Sequence, residues 1–448
     1  MAISEKIYDN SPVWIQNAMC SIKGWLIKRR RYNKSFYKEL YRYEHGLYDG
    51  AKELASFLQA IRKMPQYCQN IDDELIKKVA QGNMQPMERF PIIDKTYVKA
   101  NYSNFLNPEY KDPLFEMRTS GTTGSGLIFP YSVEMEHRQW AVWWRYRRWL
   151  GIDFKTWCGW FGGKRIIAPD NKKKPYWRIN RAGRQVMFST FHLTEKTVTD
   201  YYSEILRRKL TWLHGYPSHI THLAALILKC DLHPLAHVEV ITTGAENVLG
   251  NQISIIKQAF PKAILRQHYG LNEGVANISQ TLEGEWKIDQ DFCFVEFIPL
   301  SPDTPNVCRI IGTGFSNKAF PLIRYDTGDI ATIEHIDGKN INVKSIDGRS
   351  SNVVYQPDGS SICEASLSIF LHDFMNVAEA QFHQDSLSNV DLWIVKGRNY
   401  SSEDEKLIRE SFKRYFDRHM NLNIKYVDKV QRTSSGKLKL VISNLNTK

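Results

Sequence analysis

No stretch of this chain supplies the roughly 18 to 20 consecutive apolar residues that a membrane-crossing helix requires. The opening Met1-Ala2-Ile3-Ser4-Glu5-Lys6 lacks the basic-then-apolar form of a secretory signal. A cytoplasmic protein without a transmembrane segment is expected. Cysteine is scarce: Cys20, Cys68, Cys158, Cys230, Cys293, Cys308 and Cys363 are scattered, odd in number and never spaced CxxC. That argues against a disulfide framework, a zinc knuckle and a dithiol redox site, and for reduced, mostly packed thiols. With 26 Gly and 17 Pro in 448 residues, no internal repeat and no long polar linker, the chain is neither collagen-like nor low-complexity.

What is present is a large apolar reserve, 42% hydrophobic and 12% aromatic, enough for two or three domains with sizeable cores. Lys and Arg exceed Asp and Glu by 60 to 48, a net charge of +12 that suits nucleic acid, anionic lipid or small polyanions such as nucleotides and coenzyme A. The densest basic stretch, Lys23 to Arg42, interleaves Lys28-Arg29-Arg30-Arg31 with Trp25, Tyr32, Phe36, Tyr37 and Tyr41. It reads as a membrane-surface or glycan-facing patch, or as a solvated helix face whose aromatics pack on the body. No nucleic-acid-binding motif accompanies it, so nucleic acid is not an expected partner.

Residues 1–95 read as mainly helical, 96–347 as an α/β body and 348–448 as a small α+β domain. Thr194 to Lys209 has helical spacing, Leu210 to Leu213 looks like a strand, and Val238 to Ile241 is a β-branched run ending in Thr242-Thr243-Gly244. After Asp329 the texture turns to short strands and two helical stretches, Ser366 to Met375 and Glu403 to His419. The second opens on Ser402-Glu403-Asp404-Glu405, with Ile408, Phe412, Tyr415 and Phe416 on one face.

Arg118-Thr119-Ser120-Gly121-Thr122-Thr123-Gly124-Ser125-Gly126 gathers glycines and hydroxyls whose N–H and O–H donors can wrap a phosphate chain. It is not a Walker loop, because Leu127 and Ile128 stand where Lys and Ser or Thr are required. Alone it can also be read as a flexible Ser/Gly turn. Further segments follow in a fixed order: Thr243-Gly244-Ala245-Glu246, His268-Tyr269-Gly270-Leu271-Asn272-Glu273, Arg324-Tyr325-Asp326-Thr327-Gly328-Asp329, Gly348-Arg349 and Arg432-Thr433-Ser434-Ser435-Gly436-Lys437. Each has a bland reading by itself: a turn carboxylate, a structural tyrosine, a solvated C-terminal lysine.

In this order the segments resemble the adenylate-forming superfamily of acyl- and aryl-coenzyme A synthetases, nonribosomal peptide adenylation domains and luciferases, over about residues 115 to 445. Phe129-Pro130-Tyr131-Ser132, Phe188-Ser189-Thr190-Phe191-His192-Leu193, Pro321-Leu322-Ile323-Arg324-Tyr325 and Gln356-Pro357-Asp358-Gly359 narrow the resemblance to the phenylacetate-coenzyme A ligase-like branch. Within it they are similar to proteins encoded with capsular-polysaccharide biosynthesis.

The resemblance implies a large α/β body, a small mobile lid, and nucleotide bound at their interface. It places Thr119, Ser120, Gly121, Thr122, Thr123 and Gly124 at pyrophosphate and Mg-ATP, and Gly244, Ala245 and Glu246 at adenine. His268, Tyr269, Gly270 and Asn272 join the nucleotide site, Tyr269 with an aromatic face for adenine. Glu273 becomes the Mg²⁺ ligand, since Mg²⁺ takes one or two carboxylates besides phosphate oxygens. Asp329 accepts from the ribose hydroxyls, and Arg349 is a second ribose or phosphate contact. Lys437 is the catalytic cation and Ser351 stands at the hinge, where relatives commonly have a charged residue. Many members carry a Lys after the phosphate loop; here Arg138, Lys164 or Arg165 are candidates to compensate.

The acyl pocket is sought among Trp157, Trp160, Phe161 and Gly162, and His214, Gly215, Tyr216 and Pro217; His214 reads either as a substrate contact or as a buried histidine. The expected reaction turns a carboxylic acid and ATP into acyl-AMP and pyrophosphate, and then passes the acyl group to coenzyme A. The alternatives are an amide-forming adenylating ligase acting on a sugar acid, amino sugar or amino acid, with a carrier thiol or polysaccharide precursor as acceptor or partner, and, outside enzymes, a basic membrane-surface or nucleic-acid-binding protein.

Overall fold

Short polar side chains mark where the N-terminal helices begin. In the computed structural model of the chain, Asn33, Asp49, Asp72 and Asp94 accept hydrogen bonds from backbone N–H groups two or three residues on. They open the helices Lys34–Glu44, Gly50–Ile61, Asp73–Ala80 and Lys95–Ala100. Such caps satisfy N–H groups that a helix start leaves unpaired, typically about 1 kcal/mol each. With Ile3–Asn10 and Val13–Arg31 ahead of them, the helical texture expected of the first 95 residues is present. The structure describes residues 3–119, 126–168, 170–302, 304–335, 341–349, 353–357, 361–364, 367, 370–371, 374–433 and 436–445, and of residues 3–6, 349, 361 and 363 the backbone alone.

The backbone divides into two compact units, one of Met1–Leu26, Phe154–Gln267 and Asp347–Lys448, the other of Ile27–Asp153 and His268–Ile346. In the first, Cys158–Phe161, Trp212–Gly215 and Val240–Gly244 run parallel as neighbours. Gln185–Phe188 is parallel on the far flank of Cys158–Phe161, and Trp177–Asn180 lies antiparallel outside it. Val186, Leu213 and Ile241 are fully buried beneath Tyr201, Ile220, Leu223 and Phe260. A strand covered on both faces reads as an unbroken apolar run, so its ends are hard to place from sequence. The strands accordingly lie two residues later than expected, at Trp212–Gly215 and Val240–Gly244. The helix expected over Thr194 to Lys209 is Val198–Arg207, closed by Lys209 at φ +49°.

The C-terminal part of this unit is the expected α+β segment. Its four strands lie in the order Asn421–Tyr426, Asn389–Lys396, Val377–Ser386, Val441–Ser443, around a core including Phe382, Leu392, Ile408 and Phe412. The later helix is Ser402–Tyr415, and its capping box pairs Ser401 with Asp404 rather than starting at Ser402. Phe416 is buried with Ile408 and Phe412, whereas Tyr415 is half exposed and leaves the expected stripe. Of the helical stretch Ser366 to Met375, several residues lie outside the described ones; Leu367, Phe370, Leu371 and Phe374 are buried in the same core.

The second unit is built on antiparallel strands. Cys293–Pro299, Val307–Gly314 and Leu322–His335 are successive neighbours, and Asn277–Gln280 pairs with both Trp286–Ile288 and the end of Ile264–Gly270. Leu322–His335 is one 14-residue strand, so the change of texture expected after Asp329 falls inside an element. The hairpin Leu114–Arg118 and Ile128–Ser132 leads into the helix Val133–Trp149, capped by Ser132. Phe36 and Leu40 of the basic stretch, and Tyr43 just after it, pack inside this unit. Arg30 and Arg31 converge on the buried Glu136 at 2.7 and 3.1 Å. That half of the stretch is structural, while Trp25, Tyr37 and Tyr41 remain exposed.

Candidate active site

Three neighbouring parallel strands end together in the first unit. Trp160, His214 and Thr242 are register partners, and so are Phe161, Gly215 and Thr243. The carboxyl ends of parallel strands are where α/β sheets offer loops and helix N-termini to ligands. The expected acyl residues and the Gly244-Ala245-Glu246 turn therefore arrive at one sheet end. Trp160 is half-buried against the core. Phe161 is a correction: its ring is fully buried and stacked on Phe188 at 4.6 Å, so a ligand could meet only its backbone. His214 Nδ1 lies 3.1 Å from the Thr242 carbonyl and 2.9 Å from the Thr242 hydroxyl, which hold the ring at this sheet end. Ala245 holds φ +67°, a conformation costly to a residue with a Cβ and frequent at functional turns.

Glu246 ties this turn to the lysine loop. Its Oε2 accepts from Ser218 N–H at 3.1 Å, at the start of the helix Pro217–Lys229, and its Oε1 from Leu438 N–H at 2.6 Å, one residue past Lys437. The carboxylate is thus engaged with the protein, although the sequence placed it among the nucleotide contacts. Arg432 bonds both the Ser218 hydroxyl and the buried Glu379. Burial pushes the Glu246 carboxyl up and the Arg432 charge pulls it down. Between these anchors Lys437 N–H donates to Thr433 Oγ1 at 3.1 Å, and the Lys437 ammonium lies 5.8 Å from the centre of the Tyr216 ring. Gly436 has φ +79°, and a Cβ there would sit 3.3 Å from both Gly163 and His219, so the loop needs glycine at this place.

His219 was not singled out by sequence, although it stands in the same helix turn as Tyr216 and stacks on it at 5.3 Å. Its Nδ1 donates to the Phe161 carbonyl at 3.0 Å, and burial, aided by Arg432, lowers its pKa to about 3. An unfolded histidine titrates near 6.5, so between about pH 6.5 and 3 the unfolded chain holds a proton that the folded one refuses. Stability is therefore lost as pH falls through that window, by up to about 1.4 kcal/mol per unit from this residue. Urea unfolding midpoints should drop between pH 7 and pH 5, and the drop should be shallower in His219→Gln. An unchanged slope in that variant would contradict the neutral, buried state.

In the second unit Thr119 closes the base of the glycine-rich loop: its N–H donates to the Leu127 carbonyl and its Oγ1 accepts from Leu127 N–H, both at 2.9 Å. Ser120, Gly121, Thr122, Thr123 and Gly124 lie outside the described residues. Asn272 Nδ2 donates to the Arg118 carbonyl at 3.2 Å, which brings the loop carrying the buried Glu273 to that same base. Tyr269 Oη donates to Asp329 Oδ2 at 2.9 Å. Asp329 lies where the strand Leu322–His335 bulges against Arg309 to Ile311, and bulges re-aim side chains. Among the described residues no group of three or more His, Cys, Asp or Glu could cage a metal ion.

Other expectations are revised by packing. The His268 ring is enclosed by Trp143 and Tyr146 and donates from Nε2 to Asn277 Oδ1 at 3.0 Å. Burial lowers its pKa to about 4, so its side chain belongs to an internal network rather than to a nucleotide. Gly270 meets Asn277 in the strand ladder beside it. Arg138 is buried and bonded to Glu53 and Tyr43 at 2.9 and 3.1 Å, so it does not replace a phosphate-loop lysine, and Arg165 pairs with Asp9 at 2.7 Å. Ser351 and the Arg349 side chain lie outside the described residues.

Comparison with known proteins gives these arrangements a context. Residues 354–444 match the family model of the CapK C-terminal domain. The protein CapK of Staphylococcus aureus is 26% identical, the match covering 98% of this chain and 99% of that one. A 2-hydroxyisobutyryl-CoA ligase in its postadenylation state, in complex with 2-HIB-AMP, superposes with TM-score 0.63 at 14% identity, over 88% of this chain and 89% of that one. The GH3.15 acyl acid amido synthetase does so with TM-score 0.55 at 13% identity, over 88% and 91%. The chain has the fold of the adenylate-forming ligases, resembles the CapK C-terminal domain over residues 354–444, and is similar to CapK along nearly its whole length.

Proposed function

We propose that this protein is an ATP- and Mg²⁺-dependent ligase of the phenylacetate-coenzyme A ligase-like branch, working in the cytoplasm on surface or capsular polysaccharide biosynthesis. A carboxylate oxygen attacks the α-phosphorus of ATP, the bond to the bridging oxygen breaks, and pyrophosphate leaves with its electron pair. The acyl carbon of the mixed anhydride then receives the sulfur of a thiol, most directly coenzyme A, as the thiol proton is lost and AMP departs. The observation that carries this reading is the Glu246 anchor, which fixes the loop of Lys437 at the sheet end holding Trp160 and His214. An ammonium there opposes charge on the reacting oxygens. Mg²⁺, when bound, would offset phosphate charge; Glu273, a single carboxylate near the phosphate-loop base, fits its preference for few protein ligands. Residues 348–448 are read as the lid, turning near Ser351.

ATP–pyrophosphate exchange with aryl, fatty, amino and uronic acids tests the proposal. One acid should stimulate exchange, and silence across all of them without nucleotide binding would refute it. In the same assay Asp329→Ala should raise the apparent KM for ATP about tenfold or more, the usual cost of hydrogen bonds to a charged acceptor. An unchanged KM removes the ribose role. The likeness to an acyl acid amido synthetase favours one second reading, an amine as acceptor. Supplying coenzyme A or amines to the preformed adenylate separates the two.

A further inference from the structure

The helix Val13–Arg31 is built inside out. A helix on a globular body normally turns its apolar stripe inward. Here the inward side is polar or small: Gln16 accepts from Arg178, Asn17 Oδ1 accepts from Ile179 N–H at 2.8 Å, and Ser21 Oγ donates to the Ile179 carbonyl at 3.2 Å and accepts from Arg181 N–H at 3.1 Å. A Cβ at Gly24 would lie 2.1 Å from Asn180 Oδ1, so the helix is pressed against the edge strand Trp177–Asn180. Asn17 and Ser21 thus pair with the backbone of an edge strand that would otherwise invite another chain.

The apolar residues face outward. Trp14, Ile22, Trp25 and Leu26 are 72, 60, 51 and 56% exposed, and a helical repeat sets them within about 120° of arc. The helix also carries Lys23, Lys28, Arg29, Arg30 and Arg31 and no acidic residue. Lys23, Lys28, Arg29 and Arg30 are exposed, Arg30 while pairing with Glu136, and the half-buried Arg31 shares that carboxylate.

We propose that this outward face rests on an anionic phospholipid bilayer, the tryptophans at headgroup level and the cations on the phosphates. Indole rings favour that depth, and a flat helix with apolar residues on one side and Lys or Arg along its borders suits an interface rather than a span. Charge selects the occupant. A second copy of the face would oppose cationic helix to cationic helix, whereas acidic headgroups attract it.

The test is sedimentation of the full-length protein with phosphatidylcholine vesicles, pure or doped with phosphatidylglycerol. Binding is expected to the doped vesicles and to weaken with salt. It should fall at least about tenfold in Trp14→Ser/Ile22→Ser/Trp25→Ser and in Lys23→Glu/Lys28→Glu. Both variants change exposed side chains, so their melting temperatures should match wild type and separate lost binding from lost folding. No binding by wild type, or equal binding by the Trp14→Ser/Ile22→Ser/Trp25→Ser variant, overturns the proposal. Self-association abolished by that variant, without lipid binding, would assign the face to a second copy and overturn it too.

Discussion

Lys437→Ala is expected to lower acid-dependent ATP–pyrophosphate exchange by about 10²- to 10³-fold, the usual loss when one preorganised donor to a developing oxyanion is removed. The fold should be unaffected, because the loop is held by backbone groups. Thr433 N–H donates to the Lys437 carbonyl, Lys437 N–H donates to the Thr433 hydroxyl, and Leu438 N–H is fixed by Glu246. Arginine at this position should restore little, since a planar fork does not reproduce a compact ammonium. Transfer of the acyl group from a supplied adenylate should be largely spared, as charge on the α-phosphate no longer grows in that step. Wild-type exchange in Lys437→Ala, with an unchanged melting temperature, would remove Lys437 from the chemistry.

The second large effect is on stability. Arg145 Nη2 donates to Asp289 Oδ1 at 2.6 Å, and Arg145 also pairs with Asp291; Asn277 Nδ2 and Ser279 Oγ complete Asp289 at 2.5 and 3.2 Å. Asp289 is 1% exposed, so removing its cation strands a charge in the interior. Arg145→Met should cost about 3–5 kcal/mol at neutral pH, the range for breaking one side of a buried pair. Burial already pushes the Asp289 carboxyl up against the pull of Arg145. Without Arg145 the folded state should take up a proton more readily than the unfolded one, so the loss should shrink as pH falls. Arg145→Met/Asp289→Asn should recover part of it. Urea unfolding at pH 7 and pH 5 reads both, and a pH-independent loss would argue against a stranded carboxylate.

The site loops were legible because their chemistry is local: a run of glycines and hydroxyls, a Tyr-Gly before a Glu, a Ser-Gly-Lys. Partners far apart in sequence were not. The placing of His268 depends on Asn277, Trp143 and Tyr146, and nothing at position 268 announces them. Arg138 looked available for phosphate because its partner Glu53 lies in another helix. Phe161 read as a pocket aromatic, yet a ring at the end of a doubly covered strand meets core, here Phe188. His219 could have been found from the helix begun by Pro217, whose first turn carries it three residues after the N-cap Tyr216. The α/β class survived these errors because it rests on the repetition of strands and helices rather than on any single residue.

The Arg432 and Glu379 pairing bears on how this protein can vary. Glu379 is 2% exposed, and Arg432 also bonds Ser218, whose backbone N–H is held by Glu246. A change at 432 alone leaves a buried carboxylate without its cation, and a change at 379 alone leaves a cation pointed at an empty acceptor. Drift is therefore channelled: the two positions tolerate replacement together, by an uncharged pair of similar volume, far better than either does singly. Members of this lineage would be expected to inherit positions 379 and 432 as one character.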